Sequence, residues 1–179
     1  MPEQRMAILM LGASDTGRTK ISLTYTDDTF EKNISIDGKT VVCEIIDTSG
    51  QDELKELRKR YIQESDGFVI VYSVDDKYSY DLINDFYEEI INERKTQNVP
   101  IIIFANNCEL QHSVPLEEAR AKSSSSWNNT EIFEISNYQI ESITRGFEKI
   151  CRMIMNQGAS DAKKGNNKQE SSKNCCEIQ

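Results

Sequence analysis

Residues 11–19, Leu-Gly-Ala-Ser-Asp-Thr-Gly-Arg-Thr, have the types and spacing of a loop that can hold phosphate. Gly12 and Gly17 bracket Ala13, Ser14, Asp15 and Thr16, and Arg18 and Thr19 follow. In the strict pattern G-x-x-x-x-G-K-[ST], loop amides cradle phosphate oxygens and the terminal hydroxyl faces a metal ion. The spacing and Thr19 fit that pattern, and Arg18 stands at its lysine position. A plain strand–loop–helix turn would also satisfy these residues. Three later stretches carry polar residues of the same chemical interest: Asp47-Thr48-Ser49-Gly50-Gln51, Asn106-Asn107-Cys108-Glu109 and Ser136-Asn137-Tyr138.

These loops need elements to position them. The apolar run Met6 to Leu11 reads as a buried strand, and Ile21, Leu23 and Tyr25 suit a short helix after the first loop. Asn33 to Ile36 and Thr40 to Ile46 read as a hairpin turning at Asp37-Gly38. GFVIVYS (67–73), VPIIIFA (99–105) and Ile132 to Ile135 read as further buried strands. Residues 53–64 are charged and helix-compatible, and the apolar set Tyr80, Ile83, Phe86, Tyr87, Ile90 and Ile91 and the stripe Ile143, Phe147, Ile150 and Ile154 have helical spacing. Leu116 to Ser126 begins as a helix and runs into four serines. Strands alternating with helices predict an α/β domain, and the glycine-bounded loop after its first strand makes the P-loop NTPase type the expectation. Its doubly wound sheet is mainly parallel, with one antiparallel edge strand from the hairpin. On such a sheet ligands bind at the carboxyl ends of the strands, where all four loops fall.

The 179 residues suit one domain and a tail, predicted as 1–157 and 158–179, the tail polar and disordered. A net charge of −9 argues against nucleic acid as a partner. Five cysteines, an odd number, with Cys43, Cys108 and Cys151 in apolar runs, suit free thiols in a reducing compartment. No signal-like leader or apolar run of bilayer-spanning length is evident.

The second stretch differs by one small residue from DTAGQ, the third is a modified NKxD, and Glu134 to Tyr138 is a modified ETSAK. Falling in order after the expected strands, these motifs make residues 4–156 resemble the Ras family of small GTPases. Fold alone would also admit a receiver or flavodoxin-like module, but would not bring these motifs together. The resemblance implies GTP or GDP as ligand with Mg²⁺. It implies phosphate contacts from Gly12 to Thr19, metal contacts from Thr19 and Asp47, a γ-phosphate approach by the Gly50 backbone, and nucleotide contacts from Thr48 and Ser49. Gln51 would orient the attacking water; a capped turn before a helix is the alternative use of Asp47 and Gln51. The base would meet Asn106, Asn107, Glu109, Ser136 and Asn137, with Tyr138 either stacking on it or covering the pocket.

The departures from the family are equally specific. Arg18 is a planar guanidinium where the family has a compact ammonium. Asp15 adds negative charge to an anion loop, and Ser14 crowds the place where Gln51 and an incoming arginine would work. Glu109 is one methylene longer than the family's aspartate, and Asn107 lacks the lysine stem. The first switch is almost gone: Thr26, the nearest candidate for its metal-binding threonine, lies close after Thr19. A helix over these residues and a metal-bound Thr26 exclude one another. Asp27, Asp28, Thr29 and Phe30 resemble the family's acidic effector edge, and serve equally well as a solvated strand start. At the C-terminus Cys176-Glu177-Ile178-Gln179 fits a farnesylation signal, with Cys175 open to acylation. The tail's lysines exceed its acids by only one, so a second lipid matters more than basic charge. The sequence therefore predicts a Ras-like switch on the cytoplasmic face of a membrane, hydrolysing GTP slowly and working through protein effectors or regulators. The alternative is an interaction module with weak or absent nucleotide binding.

Overall fold

The computed structural model describes residues 4–27, 29–47 and 55–170. Its elements run β1 (Gln4–Gly12), α1 (Arg18–Thr26), β2 (Glu31–Ile36), β3 (Lys39–Asp47), α2 (Lys55–Glu64), β4 (Gly67–Ser73), α3 (Lys77–Asp81), α4 (Ile83–Arg94), β5 (Ile101–Asn106), α5 (Leu116–Ser126), β6 (Thr130–Glu134) and α6 (Ile140–Glu170). The strands form one sheet in the order β2-β3-β1-β4-β5-β6. Among the described residues only β2 and β3 pair antiparallel, Ile34 facing Val41, as the expected hairpin requires. The α/β sheet expected from the sequence is thus the one that forms.

Alternation along β1 divides the core. Leu9 and Leu11 join Phe68, Ile70, Ile83, Ile90 and Ile103 beneath α2, α3, α4 and α5. Met6, Ile8 and Met10 face the other way, to Ile21, Tyr25, Phe147 and Ile150 of α1 and α6. β4 and β5 are buried at every residue, as central parallel strands covered on both faces must be.

Helix α1 is rich in β-branched and hydroxyl residues, poor helix formers taken alone. Packing holds it: Tyr25 is fully buried and stacks on Phe147, ring centroids 4.1 Å apart, while Phe147 meets Phe104 edge-on at 5.5 Å. One aromatic column therefore links α1, α6 and β5, and sets where the first loop lies. Helix α2 is tied down by Arg58, whose Nε donates to both carboxylate oxygens of Glu89 at 2.9 and 3.1 Å. Arg94 donates to the carbonyls of Ile62, Gln63 and Ser65 and so closes its C-terminal end.

Boundaries differ from expectation in two places. The apolar stripe from Tyr80 to Ile91 is split between α3 and α4 around Leu82. Helix α6 continues past Gly158 to Glu170, into the segment whose composition suggests a disordered tail. That stretch lacks proline and contains alanine, lysine and glutamine, which carry a helix at little cost.

Candidate functional site

Residues 13–17 leave the end of β1 and turn into α1 at the carboxyl edge of the sheet. Asp15 (φ 63°) and Gly17 (φ 83°) are both left-handed, which curls the chain back on itself. Thr16 Oγ1 donates to the Ala13 carbonyl at 3.0 Å and closes the loop. Ile21 N donates to the Gly17 carbonyl at 2.9 Å, so the amides between them begin the helix without intrahelical partners. The result is a concavity of about 230 Å³ lined by residues 13–20. It combines a helix N-terminus with a nest of amides, an arrangement suited to an anion. Ser14 and Asp15 stand exposed at its mouth.

Arg18 turns inward. Its side chain is only 9% exposed; Nη1 donates to the Gly12 carbonyl at 2.7 Å, and Nε lies 2.9 Å from Asp47 Oδ1. The Nε contact is a close ion pair without the alignment of a hydrogen bond. Burial pulls the Arg18 pKa down, and the charge of Asp47 opposes that shift. The second Asp47 oxygen, Oδ2, accepts from Thr19 Oγ1 at 2.5 Å. The two residues expected to hold a metal are therefore brought together, with the Arg18 guanidinium against one carboxylate oxygen and the Thr19 proton on the other. Mg²⁺ demands near-ideal octahedral oxygen coordination at roughly 2.0–2.1 Å and keeps several waters. A guanidinium against Asp47 supplies a competing positive charge and no ligand, so this donor set does not fit the ion.

The base-side loops meet the phosphate loop through asparagines. Asn106, fully buried at the end of β5, donates from Nδ2 to the Thr16 carbonyl at 2.8 Å. Gly17 passes so close that a Cβ there would lie 2.5 Å from Asn106 Nδ2 and 2.8 Å from Asn137 Nδ2. Asn107 (φ 60°) donates to Ser73 Oγ at 2.8 Å and accepts from Asn137 Nδ2 at 3.3 Å. Cys108 N donates to the Ile135 carbonyl at 3.2 Å and pins the two loops together. Asn106 Oδ1 and Asn137 Oδ1 are buried and have no hydrogen-bond partner, so each leaves an acceptor unsatisfied beside Gly17. Ser136 is buried and accepts from Tyr138 N, whereas Glu109 is exposed. Tyr138 is 79% exposed, with the Lys20 ammonium 4.5 Å from its ring centroid. This contact joins α1 to the base-side loop across the mouth of the cleft. Lys20 thus leans toward that loop, where helical geometry alone predicts that it points away from the phosphates.

Ser73 has no motif in the sequence. It reads as the last residue of a buried strand, yet its hydroxyl anchors Asn107 and contacts Asp75.

Thr26 does not reach the cleft. Its hydroxyl is buried, donates to the Ser22 carbonyl at 2.8 Å and accepts from Phe30 N at 3.0 Å. In the competition between helix and metal-bound threonine, the helix holds the residue. Asp27 ends α1 in a left-handed conformation, Thr29 and Phe30 follow, and the Phe30 carbonyl accepts from Ile45 N at 2.8 Å. The turn to β2 is therefore short and pinned. Thr48, Ser49, Gly50 and Gln51, Asp28, and Cys175 and Cys176 lie outside the described residues.

A sequence model of the Ras family matches residues 7–156, from within β1 into α6. The chain belongs to the Ras family of small GTPases. It is 30% identical over 173 residues to the GTP-binding protein rhb1 of Schizosaccharomyces pombe, covering 87% of this chain and 91% of that protein. It is 24% identical over 183 residues to Ras-like protein 2 of Mucor circinelloides, covering 96% and 92% of the two chains. With the Ras-related protein Ral-a of Drosophila melanogaster it shares 25% identity over 170 residues, 87% of this chain and 84% of the relative. In this Ras-family chain Arg18 turns inward, asparagines link the loops behind Gly17, and Thr26 is held in α1 by Ser22 and Phe30.

Proposed function

We propose that this Ras-family protein binds guanine nucleotide and acts as a signalling switch with slow GTP hydrolysis, held on the cytoplasmic face of a membrane by lipid on its C-terminal cysteines. The observation that carries the reading is the amide-lined concavity at the start of α1, tied to the base-side loops by Asn106. Phosphates would sit against the amides of Ser14 to Thr19, and the base would lie toward Asn107, Asn137 and Tyr138. Glu109 keeps the negative charge that would accept from guanine, on a longer arm. Asn137 can present its backbone N–H to the base oxygen.

Hydrolysis is slow in this reading because Ser14 crowds the space beside the γ-phosphate, and because a pinned turn replaces the loop that closes over it. The Gln51 side chain would then have little to act on. Residues 1–157 are the switch domain, and the chain beyond supplies the anchor. Effectors or regulators would read residues 50–64 and the edge at Asp27 to Phe30.

Labelled GDP and ADP titrated against the purified full-length protein test the reading. Selective binding of GDP is expected, tightened by Glu109→Asp together with Asn107→Lys. Equal binding of ADP, or none of either at millimolar concentration, would refute it. In single-turnover assays Gln51→Leu should change the slow rate little.

A further inference from the structure

We propose that the Arg18 guanidinium takes the place of the divalent cation, so that this protein binds guanine nucleotide without Mg²⁺. The inference rests on the nucleotide reading above and adds the nature of its positive charge. A metal beside a phosphate site neutralises a nearby carboxylate and gives positive charge to the phosphates. Here Asp47 is neutralised by a cation belonging to the chain itself, 2.9 Å from Oδ1, and its other oxygen accepts the Thr19 proton. The pair is held in a nearly dry place, the side chains being 9% and 11% exposed. Low solvent access strengthens the attraction and fixes the geometry.

Arg18 is also tied at a second point, through Nη1 to the Gly12 carbonyl at 2.7 Å. It therefore cannot swing out as a free phosphate-seeking side chain. A guanidinium has five N–H groups in a rigid fork. One is spent on Gly12 and one faces Asp47, so the fork keeps donors for a phosphate oxygen while it holds the carboxylate. A lysine could not do both: its three donors radiate from a single atom, with no planar fork to serve two partners at fixed angles. The remaining first-switch ligand that would favour a metal is committed elsewhere, since Thr26 is bonded to Ser22 and Phe30. Asp47 thus faces a cation of the chain itself and Thr26 is held by Ser22 and Phe30, while Thr19 spends its proton on Asp47 and keeps its oxygen lone pairs.

The test is the affinity of full-length protein for fluorescent GDP in excess EDTA and in millimolar Mg²⁺. Paramagnetic resonance with Mn²⁺ as the spin-active substitute reports whether an ion enters with the nucleotide. Expected are dissociation constants equal within about threefold in the two buffers, and no bound Mn²⁺ signal in the GDP complex. Arg18→Lys should free Asp47 and bring metal dependence back, by roughly tenfold or more, the scale set by one charge-assisted contact. Should that variant fail to fold, the Mn²⁺ signal of the unmodified protein decides by itself. GDP binding that collapses in EDTA, or a Mn²⁺ bound with each nucleotide, would overturn the inference and leave the nucleotide reading standing. No GDP binding in either buffer would overturn both.

Discussion

Replacing Gly17 with alanine should damage this protein in two ways that can be separated. Gly17 sits at φ 83°, where an L side chain is disfavoured by about 1–2 kcal/mol. Its Cβ would also lie 2.5 Å from Asn106 Nδ2, which must move and give up its 2.8 Å bond to the Thr16 carbonyl. Leaving that buried donor unpaired costs about 1–3 kcal/mol, for a total of roughly 2–5 kcal/mol. Gly38 provides the control. It has a similar φ of 78° but nothing within 4 Å of its Cβ position, so Gly38→Ala carries only the conformational part. At about 2–4 °C per kcal/mol for a domain of this size, Gly17→Ala should lower Tm by roughly 4–20 °C and Gly38→Ala by less. Urea unfolding of both variants, followed by circular dichroism, measures the difference directly. If the two lose the same stability within about 0.5 kcal/mol, the proposed crowding of Asn106 is wrong, since that contact should be worth about 1–3 kcal/mol.

Thr26→Val should cost about 1–3 kcal/mol of stability by stranding Phe30 N, while leaving the metal dependence of GDP binding unchanged in an EDTA titration. Burial pushes the phenols of Tyr25 and Tyr72 up, so the folded state keeps protons that the unfolded state releases near pH 10. Stability from this source is whole below about pH 10 and falls as pH rises further; Tyr25→Phe should flatten part of that alkaline fall in pH-dependent melting. Cell fractionation should find Cys176→Ser in the cytosol and Cys175→Ser loosely held on internal membranes. Firm retention of Cys175→Ser, lost on neutralising Lys163, Lys164, Lys168 and Lys173, would assign the anchor to basic charge instead.

The sheet and its loop positions were readable because their signals are local. Apolar runs mark β1, β4 and β5, Asp37-Gly38 marks the hairpin, and the glycine spacing marks the turn into α1. The direction of Arg18 was not readable, because it depends on Asp47 at the far end of β3, brought alongside only by the parallel pairing of β1 and β3. Thr26 was readable only as a choice. Nothing near it in the chain weighs its bonds to Ser22 and Phe30 against a distant ligand; the burial of Tyr25 on Phe147 does so. The asparagine chain was hidden for a related reason. Asn107 was visible as a missing lysine, but its partner Ser73 lies on another strand and carries no motif.

The pinned turn between Thr26 and Glu31 also bears on timing. A broad concavity of about 670 Å³, lined by Thr19, Lys20, Leu23, Thr24 and Asp27, runs open along α1. A ligand seated on the adjoining loop would have solvent along that flank, with none of the described segments folded over it. Its escape then waits only on the breaking of its own contacts. On that flank residence would be set by affinity, and among the described residues a helper protein would find no closing segment to grip.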